Sequence, residues 1–341
     1  MIKVLMKKEA MFWEKGENNS VKCLLCPHYC MISDGNRGFC NVRKNEGGVL
    51  YSLIYALSSG VADDPIEKKP LNHFYPGSFV LSLGSVCCNF KCLHCQNYHI
   101  STADPLTSSL NFISPKDAVG LALDHGCKGI AWTYNEPTIW YEYAFDCAKI
   151  AKGHGLYTVF VSNGYINKEP LVEISPFLDA INVDVKSFSN NFYKKVCSGS
   201  LDPVLETCKT AIDVGIHLEL TYLVIPKNND SIEEIVSFCR WVVEFLGVDV
   251  PVYFSRFHPY YKMKDVPATS FESLVDMYNT AKDEGILYPY LGNVIDESYE
   301  NTFCPRCGNV IVRRNGFNAK VVGFKNGKCS RCGNVIPLIT G

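Results

Sequence analysis

Apolar residues fall along the chain in short blocks whose period keeps switching between two and roughly 3.6. SFVLSLGS (78–85) is a branched, apolar run stopped by glycine, which predicts a buried strand. SPKDAVGLALDHG (114–126) carries apolar residues at helical spacing behind Ser114, which predicts an N-capped helix. The alternation then repeats. Strands are predicted over GIAWTYN (129–135), LYTVFVSNG (156–164), DAINVDVKS (179–187), IHLELTYLVIP (216–226) and VPVYFSRF (250–257), with ILYPYLGNV (286–294) as one more candidate. Between them lie a helix over 137–153, a short one with Pro170 near its first turn, and one or two over 190–215. SIEEIVSFCRWVVEFL (231–246), capped by Asp230 or Ser231, and a helix near 270–284 complete the series.

Strands that are apolar throughout and alternate with helices imply a parallel sheet covered on both faces. About six right-handed crossovers in succession imply a full or partial (β/α) barrel, with a doubly wound open sheet as the competing architecture. Either way the site sits at the carboxyl ends of the strands. That rule selects the 87–97 loop, Asn135 and Glu136, Ser162 and Asn163, Asp184 and Lys186, Tyr222, and Arg256 with His258.

The chain has 341 residues, enough for such a core with attachments at both ends. The predicted division is an N-terminal Cys-rich metal-binding segment (1–74), the barrel (75–298) and a C-terminal knuckle tail (299–341). Apolar residues at 47% and charged residues at 20% exclude a disordered chain. A net charge of −2 gives no sign of a nucleic-acid or anionic-membrane partner. No apolar run reaches the length of a bilayer span, and MIKVLMKKEAMFWEKGEN lacks the apolar centre of a signal peptide. A cytoplasmic protein is expected.

Seventeen cysteines change the picture, because cytosolic thiols stay reduced and disulfides are then not the reason for them. Cys127, Cys147, Cys197, Cys208 and Cys239 are scattered through apolar segments and are expected to pack as small hydrophobes. The other twelve form three groups. In CCNFKCLHCQN (87–97), Cys88-x-x-x-Cys92-x-x-Cys95 can hold three irons of a cubane [4Fe–4S] cluster and leave the fourth open. Closed sites are structural, whereas an open metal position is where chemistry happens. Zinc is the competing occupant, but it wants a fourth protein ligand, and His94 is wedged between Cys92 and Cys95. Cys87 is a spare on this reading.

CNFKCLHCQN resembles the cluster loop of the radical S-adenosylmethionine (SAM) enzymes, and its QN ending resembles the pyruvate formate-lyase activating enzymes among them. The resemblance implies an α/β fold, a partial (β/α)6 barrel in which SAM chelates the open iron. One electron, from a donor such as flavodoxin or ferredoxin, then cleaves the sulfonium, and a 5′-deoxyadenosyl radical abstracts hydrogen. It places His94, at a position usually aromatic, near the adenine. TYNEP (133–137) resembles the family's Gly-Gly-Glu-Pro-like segment with the glycines replaced, which puts Asn135 and Glu136 at the SAM amino group. SNG (162–164) matches a hydroxyl-Asn-Gly turn and brings in Ser162 and Asn163. DVK (184–186) resembles an Asp-x-Lys pair, with Lys186 toward the SAM carboxylate beside Asp184, and His258 approaches the same group. Alone each match is weak, since a strand-end lysine is usually a solvated charge. Their order along consecutive strand ends is what gives them weight.

At the C-terminus, CPRCGN (304–309) and CSRCGN (329–334) flank a hairpin-like stretch. Cys304, Cys307, Cys329 and Cys332 form a tetrahedral S4 set, for zinc first and a rubredoxin-like iron second, stapling a tail too small to fold alone. At the N-terminus, Cys23, Cys26, Cys30 and Cys40 have spacing C-x2-C-x3-C-x9-C. It fits neither a zinc-knuckle pair nor a ferredoxin run, so a metal ion and a second cluster stand level. Together with DPIEKKPLNHFYPGS (64–78) and SRFHPYYKM (255–263), these motifs resemble the radical SAM component of the AmmeMemoRadiSam system along nearly the whole chain. The expected function is a radical SAM oxidoreductase acting on an unidentified protein, RNA or small molecule, with a glycyl-radical-enzyme activase as the alternative. A zinc-ribbon binding protein would not need the barrel, and an iron–sulfur electron carrier would close its central cluster with a fourth ligand.

Overall fold

The computed structural model describes residues 7–341. The reading of the N-terminus as no signal peptide rests partly on residues 1–6, which lie outside the described residues. Eight strands form one sheet: β1 (Gly60–Pro65), β2 (Phe79–Gly84), β3 (Gly129–Trp132), β4 (Tyr157–Ser162), β5 (Ala180–Asp184), β6 (His217–Val224), β7 (Val252–Arg256) and β8 (Pro289–Gly292). They lie side by side in sequence order, with β1 antiparallel to β2 and every later pair parallel. A doubly wound sheet reverses its order at a switch point, and this one never does. Crossovers that all turn the same way curl the sheet into a barrel. The barrel is partial, with β1 and β8 at its two edges.

Six helices follow β2 to β7 in turn: α1 (Pro115–Asp124), α2 (Tyr141–Gly153), α3 (Lys168–Ile174), α4 (Asp202–Asp213), α5 (Ile232–Phe245) and α6 (Phe271–Asp283). Ser114 caps α1 through a capping box, its hydroxyl taking the Asp117 N–H (3.1 Å) while the Asp117 carboxylate takes the Ser114 N–H (3.3 Å). Of the two candidates for α5, Ser231 makes the cap, accepting the Glu234 N–H at 3.2 Å. The stretch 190–215 is broken in two because Ser198 sits at φ 61°, in the left-handed region that stops a helix.

Side chains alternate along each strand, so the sheet has two different faces. Leu81, Leu83, Ile130, Trp132, Phe160, Ile181 and Val183 point outward and pack under the helices with Ala118, Ala122, Ala144 and Phe238. The inner face is small and polar, with Ser82, Asn182 and Glu219 fully buried. What covers it is the strap 66–77. Ile66, Leu71 and Phe74 pack on Val80, Ala131, Tyr157, Val159 and Ala180. The Asn182 amide donates to Pro70 O (2.8 Å), and Glu219 accepts the N–H groups of Asn72 (2.9 Å) and His73 (2.8 Å). Buried polar groups must find partners, and Asn182 and Glu219 of the barrel lining find the strap's backbone.

The C-terminal tail closes the same end. Its hairpin (Val310–Asn315 with Asn318–Val321) lies where the sequence places one. Arg314, 2% exposed, donates to Asn72 O (2.6 Å) and Thr302 Oγ1 (2.8 Å), and the Ile339 N–H donates to His73 O (2.8 Å). At the other terminus, two three-stranded antiparallel sheets (Lys8–Glu9, Val49–Ser52, Arg43–Glu46; Trp13–Lys15, Val21–Cys23, Met31–Ile32) form from strands too short to show a period. Among the described residues no helix is long and apolar enough to cross a membrane.

Candidate functional site

The loop after β2 is the longest excursion at the carboxyl end of the barrel, and three other segments pin it. The N–H groups of Lys91 and Leu93 donate to Cys197 O (2.8 Å) and Val196 O (2.9 Å). The Asn97 amide donates to Tyr134 O (2.7 Å), and the Lys262 N–H donates to Leu93 O (3.0 Å). Cys87 sits at φ 70° and is buried, its thiol donating to Ala103 O (3.0 Å), so it points into the core. Cys88, Cys92 and Cys95 are half-buried. The Phe90 N–H donates to Cys88 Sγ (3.3 Å), and the Asn163 amide approaches the same sulfur at 3.7 Å. Ser101 Oγ lies 3.3 Å from Cys95 Sγ, and Cys197 sits beside the loop, its carbonyl taking the Lys91 N–H. Donors aimed at cluster sulfurs are one of the means by which proteins set a cluster's potential.

Sequence reasoning missed Cys197, Asn89 and Ser101 as neighbours of these thiols. A lone cysteine after a helical stretch carries no signal that separates it from a core hydrophobe. Its place beside Cys92 follows only from the pairing of 196–197 with the loop.

At the strand ends, Glu136 is the hub. It is 1% exposed; Oε1 accepts the Thr138 N–H (3.0 Å) and the Ser162 hydroxyl (2.8 Å), and Oε2 accepts the Asn163 N–H (2.8 Å). Burial raises its pKa, against these bonds, which lower it. Glu136 therefore joins the end of β3 to the turn after β4. Asn135 accepts the Ser85 N–H (3.0 Å) and donates to Cys87 O (3.1 Å), tying β3 to the cysteine loop. Asn163 also donates to Asn89 Oδ1 (2.8 Å). Tyr134 occupies φ 70°, which explains why the resembled pattern carries glycine there. Its hydroxyl reaches down to Asp64 on β1 (2.7 Å), and Lys69 Nζ lies 5.0 Å from its ring.

Lys186 Nζ pairs with Asp184 Oδ2 at 2.6 Å, the lysine mostly buried and the aspartate a third exposed. Burial works against its charge, but Asp184 and the Cys92 thiol overcome that and raise its pKa. His94 is buried, with its ring centroid 6.2 Å from that of Phe192 and no partner for Nδ1. Burial, with the Lys186 charge behind it, pushes the imidazole down to about 3, so the ring is neutral. His258 is exposed; its segment touches the cysteine loop through Lys262 and through Tyr261, which stacks on Tyr98 (4.8 Å).

The C-terminal cysteines do come together. Cys304 Sγ is 3.6 Å from Cys332 Sγ and Cys307 Sγ 3.7 Å from Cys329 Sγ, with all four within 4.8 Å. Among the described residues this is the one group of such donors gathered so closely. The spacing suits a single tetrahedral ion. Cys23, Cys26, Cys30 and Cys40 are not so gathered, yet all four line one cavity.

The model of the radical SAM superfamily matches residues 83–239. An uncharacterized protein of Methanocaldococcus jannaschii is 47% identical over 315 residues, which cover 92% of this chain and 94% of that one. A pyruvate formate-lyase-activating enzyme of Clostridium pasteurianum is 22% identical over 205 residues, 54% of this chain and 82% of its own. Among solved structures, Streptococcus suis SuiB bound to precursor peptide SuiA shares the fold at TM-score 0.51 and 16% identity, over 70% of this chain and 55% of that one.

Proposed function

Because the chain belongs to the radical SAM superfamily, we propose that Cys88, Cys92 and Cys95 hold an open [4Fe–4S] cluster at the barrel mouth, where the protein cleaves SAM. The donor set fits that group. The thiols are half-buried at one rim, wider than a single ion would draw them, and carry N–H and O–H neighbours of the kind cluster sulfurs use. When bound, such a cluster supplies one electron to the sulfonium of SAM, and the 5′-deoxyadenosyl radical so released takes a hydrogen atom from a substrate.

The surrounding residues hold and orient. Lys186, cationic and steadied by Asp184, is the group for the SAM carboxylate, with His258, which follows β7 at the same end, as its companion. The neutral ring of His94 offers a flat face for the adenine. Glu136 is already engaged by three protein donors, so its service is to fix Ser162 and Asn163 in place for the SAM amino group, with Asn135 held beside them by Ser85 and Cys87. Cys304, Cys307, Cys329 and Cys332 hold one zinc, with iron as the competitor, in a structural role. A one-electron donor such as flavodoxin or ferredoxin is required.

A second reading is an activase that takes hydrogen from a backbone glycine of a partner enzyme. It is favoured by the match to 82% of the Clostridium pasteurianum activating enzyme.

The convergence of the three thiols with the Glu136–Ser162–Asn163 knot and Lys186 at one rim is the observation that carries the proposal. Anaerobic protein reduced with dithionite should convert SAM to 5′-deoxyadenosine and methionine. Cys92→Ala should form neither while keeping its C-terminal metal, and a Cys92→Ala protein that still yields 5′-deoxyadenosine sinks the assignment. An organic radical signal arising on a glycyl-radical enzyme mixed with the reduced protein would select the activase.

A further inference from the structure

The N-terminal cysteines occupy a different kind of place from either of the other groups. Cys23 ends one short strand, Cys26 and Cys30 lie in the turn that follows, and Cys40 comes from the next loop. All four line one cavity, shared with His28, Phe39, Arg43 and Ile139. Four thiols facing one space, none of them joined in a disulfide, make a soft donor set of the kind that holds iron or zinc. They are also not drawn to the single-ion spacing that the C-terminal four reach in the same molecule. The donor set wants a group larger than one ion.

Two further features belong to a site for a negatively charged centre. Arg43 lines the cavity, is 1% exposed, and has no hydrogen-bond partner for Nε, although Nη2 is paired with Glu142 (2.5 Å). An unpartnered buried guanidinium nitrogen is costly unless something accepts from it. The Phe39 N–H is aimed at Cys30 Sγ (3.4 Å), the same kind of contact that Phe90 makes to Cys88. The place is also adjacent to the central loop. His28 Nε2 bonds to the carbonyl of Asn89 (2.7 Å), the residue after Cys88, and Ile139 sits three residues beyond Glu136.

We infer that Cys23, Cys26, Cys30 and Cys40 bind a second iron–sulfur cluster, a [4Fe–4S] centre with four protein ligands, lodged beside the open one. Closed by its own thiolates, it binds no substrate. Its position next to Cys88 makes it a one-electron neighbour of the central site.

The test removes the central ligands and asks what iron is left. In the Cys88→Ala/Cys92→Ala/Cys95→Ala protein, reconstituted anaerobically, about four irons and four acid-labile sulfides per chain should persist, with a cubane EPR signal after reduction. Adding Cys30→Ala, on a half-exposed turn, should remove them while the C-terminal metal stays. An iron-free triple variant carrying about two zinc ions would overturn the inference in favour of a single ion, and a triple variant with iron unaffected by Cys30→Ala would overturn the ligand set. Failure of the central reading is distinguishable, because the triple variant would then hold as much iron as the wild type.

Discussion

The two ends of the barrel are made by the same seven parallel strands, yet their polar side chains serve opposite ends. At the amino end, Glu219, Asn182, Tyr253 and His73 are bonded to one another or to the strap and tail. Arg314 Nε and Glu67 face each other at 3.8 Å, close enough for charge though not for a hydrogen bond. At the carboxyl end, three thiols, the unpartnered Nδ1 of His94 and the Lys186 ammonium converge where the protein supplies too few partners of its own. A polar group satisfied from inside belongs to the architecture. Soft and charged donors gathered at one rim are what a bound iron–sulfur group needs.

The contrast can be broken most severely at the open end. Cys92→Ala is expected to abolish SAM cleavage outright while the amino end, read by urea midpoint, is untouched. A large fall in stability there would mean that the loop is a structural staple after all.

Next in size is the closed end. Arg314→Leu leaves Asn72 O, Thr302 and Glu67 without their cation, and breaking a buried ionic contact costs about 3–5 kcal/mol. Urea denaturation should show that loss, with SAM cleavage by the remaining folded protein unchanged. Loss of cleavage at constant stability would put Arg314 in the wrong half of the comparison.

His73 sharpens the same half by pH. Burial, with the Arg314 charge behind it, lowers its pKa from 6.5 to about 4, against the Glu219 carboxylate and the hydrogen bond to Pro337 O, which raise it; the other ring nitrogen meets the Tyr290 hydroxyl. The unfolded chain therefore binds a proton near pH 6.5 that the fold refuses until about pH 4. The contribution of His73 is complete above pH 6.5 and fades as pH falls through that window. At about 1.4 kcal/mol per unit, up to about 3 kcal/mol is at stake. His73→Gln should flatten the stability profile between those two pH values, and an unchanged slope there would exclude the histidine as its source.

The smallest effect belongs to Lys186. Lys186→Ala should weaken SAM binding by a charge-assisted hydrogen bond, about 1.5–3 kcal/mol or roughly ten- to a hundredfold, with iron content preserved. Equal affinity in isothermal titration would return the lysine to a plain ion pair with Asp184.

Most of the sheet was legible because each parallel strand is a short, mostly apolar run bounded by turn residues and each helix shows its own period. The N-cap at Ser114 and the hairpin between the C-terminal knuckles were readable from residues alone. Barrel and doubly wound sheet could not be separated, because strand order is a fact of pairing that no period records. DPIEKKPLNHFYPGS shows no period either, being a strap shaped by the barrel it fills, although β1 at its start is a full partner of β2. In the site, the strand-end residues were legible as polar interruptions. That Glu136 is consumed by protein donors, and that residues 196–197 pair with the cysteine loop, depended on distances the sequence does not carry.

The strap also sets a timetable. Its carbonyl at Asn72 is clasped by Arg314, 242 residues later in the chain, and its N–H groups wait for Glu219, about 147 residues on. A ribosome adds about 5–20 residues per second, so the strap spends on the order of ten to fifty seconds made but unclasped. During that interval its two lysines and its aromatic pair are open to proteases and chaperones. Nascent chains arrested before residue 300 should be nicked within 64–78, and full-length chains released from the ribosome should resist.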